Sequence, residues 1–102
     1  MTIKLSQAAY NAINDTIPEH MQDGLINYFE RGIPPGDFLR AVLENDLVAA
    51  VAHADEINKK HLPEYVQFLY WHVPGRPQGG WGSPEAVQKW LSEAYEDNQA
   101  IA

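Results

Sequence analysis

His53, Asp55, Glu56 and His61 stand close together in the sequence and carry the imidazole and carboxylate groups that bind first-row metals. A metal centre needs those donors on one side of the chain. Residues along a helix are rotated by about 100° each, so His53 and Glu56 share a face while Asp55 points away, and His61 falls near an expected break. No His-Glu-x-x-His pattern is present. Solvated or helix-capping roles fit these four residues better than ligation. Glu44 with Asp46, and Asp55 with Glu56, offer paired carboxylates for acid–base chemistry. Catalytic pairs need a substrate-sized gap and unlike environments, whereas a chain with 14 acidic residues places neighbouring acids on its surface without any such need. Ser83 lacks the Gly-x-Ser-x-Gly setting of a hydrolase nucleophile, and a helix-capping role accounts for it. The sequence names no catalytic residue, metal ligand or cofactor site.

Binding chemistry is better represented. Pro74, Gly75, Arg76, Pro77, Gln78, Gly79, Gly80, Trp81 and Gly82 form a loop followed at once by a helix start, a setting in which backbone N–H groups approach phosphate. The loop matches neither Gly-x-Gly-x-x-Gly nor Gly-x-x-x-x-Gly-Lys-Ser/Thr, and Arg76 is its only basic side chain. A plain connection is therefore favoured over an anion site. Tyr70, Trp71, Arg76 and Trp81 are the candidate contact residues, because aromatic and arginine side chains dominate many interface energies. Core packing is the competing fate, and it suits Trp71 better than Trp81.

The chain has 102 residues, of which 45% are hydrophobic, enough for one globular domain spanning 1–102. Its formal charge of −7 disfavours direct binding to nucleic acid or anionic lipid. Absence of cysteine removes disulfides, thiolate metal sites and thiol nucleophiles. Met1 to Leu5 lack the apolar centre of a secretory signal, and no apolar run approaches the roughly 20 residues of a membrane span. A soluble protein is expected. The acids are spread along the chain, which favours simple solubility over mimicry of a nucleic-acid backbone, the alternative use of such charge.

Apolar residues recur three and four apart between regularly spaced helix stops, predicting an all-α bundle of five or six short helices. Ser6 caps a helix over about 7–15. Thr16 and Glu19 resemble a capping box opening a second helix over about 18–31, with Gly32 placed to end it. Ile33, Pro34, Pro35 and Gly36 make a rigid corner. Phe38, Leu39, Val42 and Leu43 mark a short helix, and Asn45 or Asp46 starts another with Leu47, Val48, Val51 and Ala52 as its stripe. One unbroken helix over 37–58 is the competing reading. A helix from Pro63 carries Tyr65, Val66, Phe68, Leu69, Tyr70, Trp71 and Val73, apolar on nearly every side, as befits a central helix or one that also faces a partner. Ser83, Pro84 and Glu85 announce the last helix, with Val87, Trp90, Leu91 and Ala94 as its stripe and an acidic tail from about 96 that frays.

The segment from Gly32 to Leu47, of the form Gly-Ile-Pro-Pro-Gly-x-Phe-Leu-x-Ala-Val-Leu-x-Asn-Asp-Leu, resembles small uncharacterised phage and prophage proteins. Pro18 to Met21, Gly24 and Leu25 before it, and Trp81 to Val87 with Trp90 after it, extend the likeness over most of 18–91. The resemblance carries no activity to transfer. It implies an accessory protein in the cytoplasm of a bacterial host cell that binds and modulates a host macromolecule, taken here as a protein. Self-association through the apolar 65–73 segment is a further expectation. The alternatives are a module binding a nucleotide or phosphorylated metabolite through the Gly/Pro-rich loop, and an acidic nucleic-acid mimic.

Overall fold

Ser6 opens the first helix as its residue type dictates: its Oγ accepts from Ala9 N–H at 3.1 Å, and α1 runs Gln7–Thr16 with Ala9 and Ile13 buried. A computed structural model of the chain describes residues 2–73 and 79–101, the latter with side chains as far as Glu96. Helix α2 spans Glu19–Arg31, but the capping box does not form. Thr16 is the last residue of α1, and its hydroxyl donates back to the Ala12 carbonyl at 2.7 Å. Pro18, whose side chain offers no acceptor, takes the capping position instead. Gln22 then fastens the two helices, its Nε2 donating to the Ile13 and Ile17 carbonyls at 3.3 and 3.0 Å. Gly32 ends α2 in the left-handed conformation at φ 68°.

Beyond the proline corner, α3 (Asp37–Leu43) and α4 (Leu47–His53) are separate helices packed on one another. Asn45, at φ 62°, breaks the chain between them, and Asp46 Oδ1 accepts from Ala49 N–H at 3.1 Å to start α4. The unbroken helix over 37–58 is thereby excluded. Asp55 repeats the device, accepting from Asn58 N–H at 2.7 Å, and opens a one-turn helix α5 (Glu56–Lys60) absent from the sequence reading. Helix α6 (Leu62–His72) follows with Pro63 in its first turn. Ser83 Oγ accepts from Ala86 N–H at 3.1 Å and caps α7 (Pro84–Ile101), whose backbone stays helical past residue 96. The described residues thus form seven helices and no strand, an all-α fold with one more short helix than the upper expectation.

The core is aromatic at its centre. Phe29 of α2 lies 6.4 Å from Phe68 of α6 and 6.0 Å from Trp90 of α7, ring centre to ring centre, and Phe38 meets Tyr65 edge-on at 5.3 Å. Two polar groups buried there find partners, as burial requires. Tyr65 Oη donates to Asn58 Oδ1 at 2.7 Å, and Trp90 Nε1 donates to the Tyr28 carbonyl at 3.0 Å.

Candidate protein-binding face

Helix α4 carries the stripe its sequence predicts, but the stripe faces outward. Only Ala50 is buried, while Leu47 and Val48 are 66% and 81% exposed and Val51 and Ala52 are exposed beside them. Spacing identified the right residues and not the direction they face. The turn at Asn45 and Asp46 fixes the rotation of α4 so that its small residues Ala49 and Ala50 lie against the core, and the branched residues of the same helix are turned out.

Helix α6 is divided in the same manner. Tyr65, Phe68 and Leu69 are buried, whereas Val66, Tyr70 and Trp71 are on the surface. Leu47 of α4 and Val66 of α6 are both walls of a cleft of about 60 Å³, together with Ala41, Val42, Leu62 and Ala50. Val66 and Tyr70 are one turn apart, and the Tyr70 and Trp71 rings meet edge-on at 5.0 Å. Trp71 continues on to a second cleft, against Ala12 and Thr16 of α1. Exposed apolar side chains of α4 and α6 thus meet at the cleft that Leu47 and Val66 share.

The charge on these two helices is acidic where it is fixed. Neither α4 nor α6 contains lysine or arginine, and Asp46 stands on the wall of the cleft. The remaining paired carboxylates all have structural partners. Glu44 is bonded to Arg40 Nε at 3.0 Å, Glu56 to Lys59 Nζ at 3.3 Å, and Asp46 and Asp55 cap helices. The Asn58 N–H holds the Asp55 carboxyl below the usual carboxylate range, and His20, whose Nε2 lies 2.9 Å from Asp55 Oδ2, adds to the effect. That link between α2 and α5 has no sequence signal, since the partners lie on separate elements. His53 ends α4, and His61 stands 3.6 Å from Glu64. Among the described residues no three histidines or carboxylates converge as metal ligands.

Of the predicted contact residues, the structure brings Tyr70 and Trp71 together on the surface. Trp81 is half-buried and packs against the core, and Arg76 lies outside the described residues. The expected preference of Trp71 over Trp81 for the core is reversed. Trp71 is 73% exposed, although it lies only about 60° around α6 from the buried Phe68. Trp81 follows Gly80, which is held inward: the Gly80 carbonyl accepts from Tyr28 Oη at 2.6 Å, and the Gly82 N–H donates to the Leu43 carbonyl at 2.6 Å. These two bonds tie the described end of the loop to α2 and α3. Gly80 has φ 77°, and a Cβ there would lie 2.5 Å from the Trp90 ring, so packing alone requires glycine. Among the described residues, no helix is long and apolar enough to cross a membrane.

No family model, curated protein or solved structure matches this chain. The face itself is the guide to function.

Proposed function

We propose that this is a nonenzymatic accessory protein of the phage type that binds and modulates a host protein, inside the bacterial cell, through the apolar face of α4 and α6. The observation that carries the reading is the outward-facing stripe of Leu47, Val48 and Val51, whose Leu47 shares a cleft with Val66 of α6, the helix that also exposes Tyr70 and Trp71. Leaving these side chains in water contributes nothing to folding, and covering them contributes about 25 cal/mol for each Å² removed from water. Tyr70 and Trp71 are residue types that anchor interfaces, and their mutual contact restrains both rings before a partner arrives.

Capture from bacterial lysate by the full chain, compared with a Tyr70→Ala/Trp71→Ala variant, tests the reading. A host protein retained by the native face and lost from the variant, with helix content unchanged, is the expected result. Equal retention by both chains removes the face from the proposal.

A further inference from the structure

We infer that the occupant of the α4–α6 cleft is an amphipathic helix of a partner protein, apolar on one side and bearing lysine or arginine along its flank. The inference rests on the reading of this face as a protein-docking surface and adds the chemistry of what docks. The first argument is from the backbone. The face is built from helices, whose N–H and C=O groups are already engaged within α4 and α6, so it has no strand edge for an extended peptide to join. A partner segment buried there must satisfy its own backbone, and a helix does so.

The second argument is from shape. Leu47 and Val66 line a cleft of about 60 Å³ together with the small residues Ala41 and Ala50. That space admits one aliphatic side chain, as an anchor residue of a docked helix supplies.

The third argument is from charge. Asp46 stands at the cleft wall, α4 and α6 hold no cationic lysine or arginine, and the chain as a whole carries −7. A flank of lysine or arginine is attracted to this surface and an acidic flank is repelled. A second copy of the chain brings another −7 and another Asp46 to the same face, so self-association works against the field that favours a basic helix.

The test uses the full chain and two synthetic helices about five turns long, sharing one leucine face, one with lysine on its flank and one with glutamate. Calorimetry at low and high salt, with sedimentation of the protein alone, supplies the readouts. The basic peptide is expected to bind at least about tenfold more tightly than the acidic one, the preference shrinking with salt. Leu47→Asp and Val66→Asp are expected to abolish binding, although each adds a negative charge that strengthens any nonspecific attraction. Asp46→Asn keeps the helix cap and removes the charge, and is expected to weaken the basic peptide by about two- to fivefold. Equal affinity for the two peptides overturns the inference while leaving the docking face standing. Binding undiminished in both aspartate variants overturns it as mere charge attraction, and binding of neither peptide overturns it outright. A native dimer that Val66→Asp converts to monomer names a second copy as the occupant and overturns it as well. The lysate comparison with Tyr70→Ala/Trp71→Ala judges the docking reading separately.

Discussion

Trp90 is fastened to Tyr28 at two points: its indole N–H donates to the Tyr28 carbonyl at 3.0 Å, and the two rings stack with centres 6.1 Å apart. Tyr28 in turn donates its hydroxyl to the Gly80 carbonyl, so α2, the end of the Gly/Pro-rich loop and α7 meet at one locus.

Trp90→Ala removes the ring that this locus surrounds and is expected to cost about 3–5 kcal/mol. Gly80→Ala forces a left-handed alanine against the same ring and is expected to cost on the order of 1–3 kcal/mol from the backbone alone. Denaturant midpoints measure both. Native stability in Trp90→Ala contradicts the assignment of this residue to the core.

Asn58 is a buried polar residue whose Oδ1 accepts a hydrogen bond from the Tyr65 hydroxyl at 2.7 Å. Asn58→Ala leaves that hydroxyl without its partner and is expected to cost about 1–3 kcal/mol, whereas adding Tyr65→Phe to it should recover part of the loss. A double-mutant cycle reads the coupling. Strictly additive losses would show that the bond is not a stabilising one.

Burial pushes the phenols of Tyr28 and Tyr65 well above the ordinary tyrosine value, with the Asp55 charge adding to the shift at Tyr65. In the unfolded chain both titrate near pH 10, so above that pH the unfolded state sheds protons that the folded state retains. Their contribution to stability is complete below pH 10 and is lost as the pH rises towards the folded-state values. Chemical denaturation at successive alkaline pH values should show this fall, and Tyr28→Phe should make it shallower. A stability curve of the same slope in Tyr28→Phe and the native chain counts against burial of that phenol.

Leu47 separates the sequence reading of α4 from the observed one. A buried leucine replaced by alanine costs about 2–5 kcal/mol, and an exposed one costs within about 0.5 kcal/mol. The exposure of Leu47 predicts the smaller value. Thermal unfolding of Leu47→Ala decides, and a loss in the larger range would place this stripe in the core after all.

Much of the fold was legible because its signals are local. Ser6, Asp46 and Ser83 accept hydrogen bonds from N–H groups three residues ahead, and Gly32 takes the left-handed conformation at a helix end. Each depends on a few adjacent residues, which the sequence displays. The α2 start differs from the expected capping box because the Thr16 hydroxyl bonds to Ala12 and keeps the residue in α1. Helix α5 has no periodic signal in the sequence because its five residues are too few to show one.

By itself, the sequence determined helix class, most caps and breaks, the identity of the apolar stripes, and the excess of negative charge. Tertiary structure alone decided which stripes are covered. Leu47, Val48 and Val51 have the spacing of core residues, yet the Asn45 turn rotates them to the surface, where Leu47 shares a cleft with Val66 from a helix remote in sequence. Periodicity gives the relative positions of side chains around one helix axis. The direction of that side in space depends on the packing of every other helix, and no local pattern encodes it.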